Sequence, residues 1–209
     1  GGVVVHKDPV IWTDIFVLSP WGFYIDVWNS TGFDGTNLNS DFGDEIDWFV
    51  GWTGKSGNVG FNLGVAYFDV HKLFSSPKDD FLQLYGEVAY TLTKEYHAVT
   101  PFFRLEYTMS IPGTTDVANG SVRLLTGAAH SWAFDSKVNL EHKLWLIYDD
   151  GGAFLSKVGI VQYQVGLLWK LSNRVNLELP TVKISTPITR VRDDRKFEGI
   201  LGGGIAIRF

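Results

Sequence analysis

The chain contains no cysteine, so it forms no disulfide and carries no thiolate or cysteine–zinc chemistry. It also lacks any apolar run near the about 20 residues that a membrane-spanning helix needs, which excludes a helical span. Helix-period segments of useful length are missing as well. No linker, low-complexity tract or charge block divides the sequence, and residues 1–209 read as one domain. There is no P-loop, no dinucleotide fingerprint and no GxSxG elbow. The net charge of −5 argues against a nucleic-acid partner. No initiator Met and no signal peptide open the chain, as expected of a mature or trimmed product.

What the sequence does have is alternation. The last eleven residues, GILGGGIAIRF, place Leu201, Ile205, Ile207 and Phe209 on one parity. Ile200, Gly202, Gly204, Ala206 and Arg208 fall on the other. Period two means a β-strand, because successive side chains point to opposite faces. A strand that ends the chain on an aromatic residue resembles the C-terminal signal strand of bacterial outer-membrane β-barrels. That resemblance implies recognition by the barrel-assembly machinery. Mean hydropathy near zero fits, since lipid-facing and lumen-facing residues alternate in such barrels and cancel.

The same alternation recurs along the chain. Strands are predicted near residues 10–18, 23–29, 45–53, 59–69, 81–92, 102–111, 122–134, 138–148, 160–171, 175–184 and 199–209. Within the tenth, Pro180 has no N–H to give, and the apolar parity changes from Leu177 and Leu179 to Val182 and Ile184. A one-residue bulge does this. The connections alternate in length. Short ones are SPWG, GKSGN, DSK and LSNR, with TKEYHAV somewhat longer; between them lie long polar loops. Outer-membrane barrels have short periplasmic turns and longer outer loops. If Phe209 ends at the periplasm, every short turn falls on that side.

The outward aromatics gather near the short turns: Phe23, Trp52, Tyr90, Phe103, Trp132, Phe134, Trp169 and Phe209. This is the pattern of an interfacial girdle facing membrane lipids. The expected fold is therefore all-β: a closed antiparallel transmembrane β-barrel with eleven strands visible. Barrels of this kind have even strand numbers, so a twelfth strand is expected before Gly1, or Gly1 to Lys7 closes the gap. The order of apolar strand, short turn, GFYIDVWNS, polar loop and DEIDWFVGW is also similar to a widespread group of small outer-membrane barrels known only as conserved hypothetical proteins. Gly22, Phe23, Trp28, Glu45, Ile46 and Asp47 carry that resemblance, over about residues 9 to 70. It implies no activity.

The inward rows hold charges of both signs: Glu87, Arg104, Glu106, Arg123, Glu141, Lys143, Lys170, Glu178 and Arg208, with Asp26, Glu45 and Asp47. Lone buried charges are prohibitively costly, so these either pair across strands and plug the lumen or line a solvated pore. Arg104, Glu106, Arg123, Glu141 and Lys143 form the densest group. His130 and His142 point outward on adjacent strands, opposed if the turn centres on Ser136. A membrane phospholipase also carries an outward His, but no outward Ser accompanies these two, since Ser131 points inward. They read as interfacial polar residues or as a contact for a protein partner or oligomer. The loop from Gly32 to Glu45 offers oxygen donors at Asp34, Asn37, Asn39 and Asp41, but not at EF-hand spacing, and a solvated loop is the default. No cofactor, metal or catalytic constellation is expected. The functions the sequence supports are a small channel for polar solutes, then a structural or anchoring barrel that binds partner proteins, then a lipid-modifying enzyme.

Overall fold

The computed structural model describes residues 10–32, 45–69, 80–111, 120–150, 158–172, 175–187 and 198–207. Their regular structure is β throughout: β1 Val10–Leu18, β2 Phe23–Gly32, β3 Glu45–Ser56, β4 Val59–Asp69, β5 Phe81–Tyr90, β6 Leu92–Lys94, β7 His97–Ser110, β8 Ser121–Ala133, β9 Val138–Asp149, β10 Val158–Lys170, β11 Val175–Pro187 and β12 Glu198–Ile207. They form one antiparallel sheet in the order β1-β2-β3-β4-β5-β7-β8-β9-β10-β11-β12, with the short β6 pairing β7. Each strand thus lies beside its neighbour in sequence, which short turns and loops dictate for antiparallel hairpins.

The hydrogen-bonded path holds the eleven strands that alternation gives, and the sheet's twelfth is the short β6, which follows β5 after a break at Thr91. The strand expected before Gly1 lies outside the described residues. β1 and β12 do not pair with each other among the described residues, so the expected closure is not formed there. As the first and eleventh strands of the path they run parallel, so a pairing between them would not be the antiparallel ladder that every other pair makes.

The link TKEYHAV is also tighter than its sequence suggests. β6 and β7 form a hairpin in which Lys94 faces His97, and only Glu95 and Tyr96 lie between. Glu95 takes the left-handed conformation with φ of 51°, which lets so few residues reverse the chain. β7 consequently starts five residues earlier than expected, at His97 rather than Phe102. The bulge at Pro180 is present. Val165 pairs with Val182 but Leu168 pairs with Glu178, so β11 carries one residue more than β10 over this stretch. The register against β12 slips in the same place, between Glu178 and Thr181.

The faces follow the alternation. Ile25, Val50, Leu63, Leu84, Val88, Leu105, Leu144 and Leu146 are exposed on one face. Tyr24, Ala66, Tyr85, Phe102, Trp145, Ile147 and Ile160 are buried on the other. An apolar exterior around a filled interior reverses the pattern of a water-soluble sheet. Of the aromatic ring expected near the short turns, Phe23 pairs with Trp52, and Trp132 lies against Phe134 at 4.5 Å with the rings tilted. Tyr90 ends β5, and Trp169 is one residue from the end of β10. Phe103 is the exception. The early start of β7 leaves it at mid-strand, opposite Val88 and Thr126. Trp21 and Tyr96 stand exposed at the same short-turn rim. Phe209 lies outside the described residues, as do Arg208 and the loop donors Asp34, Asn37, Asn39 and Asp41.

The β8–β9 turn shows how one side chain fixes a hairpin. Asp135 Oδ1 accepts the backbone N–H of Lys137 at 2.6 Å and of Val138 at 2.8 Å. This is an Asx turn. These two donors, together with the Lys137 charge, hold the carboxyl below its usual 3.8. A depressed carboxyl stabilises the fold above its unfolded pKa, and the contribution disappears as pH falls through the folded value. Asp135→Ala is therefore expected to speed amide exchange at Lys137 and Val138 at neutral pH, with no difference from wild type near pH 2. Equal exchange at neutral pH would remove Asp135 from the turn's stability.

Candidate functional site: the inner face of the sheet

Because β5, β7, β8 and β9 are adjacent and in register, their inward charges meet. Glu87 is the Cα partner of Arg104, Glu106 of Arg123, and Arg123 of Asp149. Arg104 and Glu106 are two apart on β7 and so share a face. The result is a ladder of alternating sign. Arg104 Nε donates to Glu106 Oε1 at 2.7 Å, and its Nη1 lies 4.0 Å from Glu87 Oε2. Arg123 Nη1 lies 3.1 Å from Glu106 Oε2, and its Nε donates to Asp149 Oδ2 at 3.4 Å. Glu106 Oε2 has no aligned hydrogen bond, so charge rather than direction holds it to Arg123. Glu106 stands at the centre, buried, between two guanidinium groups. With three carboxylates and two guanidiniums the ladder carries one net negative charge.

Arg104 reaches a second group. Its guanidinium sits 4.4 Å from the centroid of the Tyr85 ring, a cation–π geometry. The Tyr85 hydroxyl bonds to that of Tyr24, which donates to Asn62 Oδ1 at 2.8 Å. Gly51 and Gly64 leave room for the two rings, because a Cβ at either position would fall inside a tyrosine. Phe49 and Phe68 pack against this cluster. Beside it, a cavity of about 250 Å³ is walled by Phe16, Tyr24, Asp26, Phe49, Thr53, Asn62, Tyr85 and Arg104. All eight belong to inward rows. Asp26 has the carboxylate of Asp14 as a like-charged neighbour here.

Glu141 and Lys143 do not join the ladder, although they share its inward face. Lys143 Nζ lies 4.7 Å from the Phe102 ring and 5.1 Å from Trp145, and Lys183 approaches Trp145 from elsewhere at 5.6 Å. Glu141 faces the like charge of Glu178. Gly166 on β10 sits between them and presents no side chain, so Thr181 closes over it. Glu141, Lys143, Gly166, Glu178 and Thr181 line a second cavity of about 250 Å³ with Thr100, Ser131 and Gln164. Lys170 lies apart, exposed near the short-turn end opposite Asn176.

The sequence therefore groups Arg104, Glu106 and Arg123, which do meet, but sets Glu141 and Lys143 with them in place of Glu87 and Asp149. Asp149 was missed as the ladder's end. Turn arithmetic finds it, since a hairpin centred on residue 136 sets Asp149 against Arg123. The interior is also less polar than the charges suggest. Phe102, Trp145, Ile147 and Ile160 make one apolar cluster on the inward face, and Tyr24, Ala66 and Tyr85 another. What remains is narrow: polar cavities smaller than the about 300–1,000 Å³ of pockets for drug-sized ligands.

On the opposite face, His130 and His142 are Cα partners as expected, and His97 of β7 joins them. No other described group brings three metal-ligating side chains together in a metal-binding arrangement, and neither does this one.

No protein-family model and no curated protein sequence match the chain. Solved structures do. The chain is similar to a NanC porin with a TM-score of 0.65 at 9% identity, over 96% of this chain and 93% of that one. It also aligns with a porin refined at 1.8 Å, at 15% identity and a TM-score of 0.39, over 97% of this chain and 62% of the other. The first of these comparisons shows that the chain has the fold of a porin-like antiparallel β-barrel.

Proposed function

We propose that the chain is a small outer-membrane channel that passes small polar solutes by diffusion. The observation that carries this reading is the inner face: a paired ion ladder and hydrogen-bonding cavities inside a sheet whose other face is apolar. Charges arranged this way hold the wall rigid and leave polar groups for a passing solute. The short turns then lie in the periplasm and the long loops outside, with Phe23, Trp52, Tyr90, Trp132, Phe134 and Trp169 at the lipid–water boundary. The barrel-assembly machinery would read the final strand.

A second reading is a barrel that does not transport and serves as an anchor for protein partners. The two packed clusters favour it, because they fill much of the inward face with apolar side chains.

Conductance in planar bilayers separates the two. The refolded full chain is expected to give discrete current steps, and Tyr85→Ala, which opens the cavity wall, to enlarge them about twofold. Silence from a folded, inserted barrel, in wild type and variant alike, would sink the channel reading and leave the anchor.

A further inference from the structure

Among the described residues, the outward face is mostly apolar but carries one continuous polar row. It starts at the short-turn rim with Lys94 of β6, whose Cα partner is His97 of β7. Paired residues on neighbouring antiparallel strands share a face. His97 Nδ1 lies 3.1 Å from His130 Nε2 of β8, with the rings stacked at 5.4 Å. His130 stacks on His142 of β9 at 5.7 Å. His142 Nδ1 lies 2.7 Å from the Tyr163 hydroxyl of β10. The Trp132 ring stacks on His97 at 5.4 Å and fixes the row's lower end.

Proton counting shows that this row is incomplete whichever tautomers it holds. A neutral imidazole has one N–H and one bare nitrogen. Between His97 Nδ1 and His130 Nε2 there is one proton. If it comes from His97, the N–H of His130 must sit on Nδ1, where no described residue accepts it. If it comes from His130, the N–H of His97 sits on Nε2, again without an acceptor. The same holds for His142 and Tyr163: either the histidine Nε2–H or the tyrosine O–H is left over. At least two donors, bare acceptors beside them and one ammonium therefore face outward from five strands, beside a stacked Trp. An anionic acceptor with several oxygens meets the ammonium and the leftover donors together.

We infer that the row Lys94–His97–His130–His142–Tyr163 binds the phosphate of an anionic phospholipid headgroup. A phosphodiester offers oxygens for the donors within its reach along the row and a charge for Lys94. A second copy docked on its own row would set one Lys94 ammonium near another, and that like charge disfavours it. The inference rests on the reading that the outward face lies in lipid, but not on whether the lumen conducts.

Native mass spectrometry of the refolded full chain in micelles, with phosphatidylglycerol or phosphatidylcholine added, tests it. One retained phosphatidylglycerol is expected, held at least fivefold more than phosphatidylcholine. Lys94→Ala, and His97→Phe with His130→Phe, which keep the ring stacking without the N–H groups, should lower retention to the phosphatidylcholine level. Equal retention of both lipids, or unchanged retention in the variants, overturns the headgroup site. A dimer that disappears in the histidine variants overturns it in favour of a second copy. Heat-dependent gel mobility and vesicle insertion serve as the independent control. Failure to insert overturns the membrane reading and this site together, whereas insertion without lipid preference overturns the site alone.

Discussion

Arg123→Met is expected to destabilise the folded chain by about 3–5 kcal/mol, the cost of breaking a buried ion pair from one side. Glu106→Gln, at the centre of the same ladder, should cost far less. The difference follows from charge counting. Wild type has Glu87, Glu106 and Asp149 against Arg104 and Arg123. Without Glu106, each arginine keeps a carboxylate of its own: Arg104 keeps Glu87 at 4.0 Å and Arg123 keeps Asp149 at 3.4 Å. Without Arg123, Glu106 and Asp149 each lose a partner, and both are among the most enclosed, with side chains 5% and 9% exposed. Burial removes the water that would otherwise screen them. Urea unfolding of both variants after refolding in micelles measures the contrast. An Arg123→Met loss within about 1 kcal/mol of wild type, or a Glu106→Gln loss as large as that of Arg123→Met, would show that solvent in the lumen supports these groups instead of their neighbours.

The ladder also marks where sequence reading succeeds and where it stops. Alternation assigns Glu87, Arg104, Glu106 and Arg123 to one face, because parity is a local property of each strand. Which charges meet is a matter of register, and register depends on turn geometry that residue types alone leave open. The β8–β9 turn is set by Asp135, so the pairing of His130 with His142 is legible. The β6–β7 turn depends on Glu95 in a left-handed conformation that its residue type does not advertise. That single turn moves the start of β7, shifts Phe103 from the rim to mid-strand, and brings His97 into the histidine row. Strand number was legible, because alternation gives the eleven strands of the hydrogen-bonded path, an odd count whose first and last members run parallel.

The second large effect is expected at Gly64. A Cβ there would collide with the Tyr85 hydroxyl oxygen and stand 2.6 Å from its Cζ and 2.7 Å from the Val50 carbonyl oxygen. Two neighbours of different stiffness therefore oppose it. The tyrosine ring can swing away only by giving up its hydroxyl bond to Tyr24 and its place under the Arg104 guanidinium. The Val50 carbonyl belongs to the β3 backbone and moves only if the ladder moves. Gly64→Ala should accordingly cost about 3 kcal/mol, the upper end of the range for overpacking a filled interior. A double-mutant cycle apportions it. In a Tyr85→Ala background the ring contact is gone and the backbone contact stays, so the cost of Gly64→Ala should fall by about 1–2 kcal/mol without vanishing. Additive losses would mean that the ring already has somewhere else to go and that the Tyr24–Tyr85–Arg104 cluster does not fix the cavity wall. Full relief would place the whole penalty on the ring, with β3 yielding freely to β4.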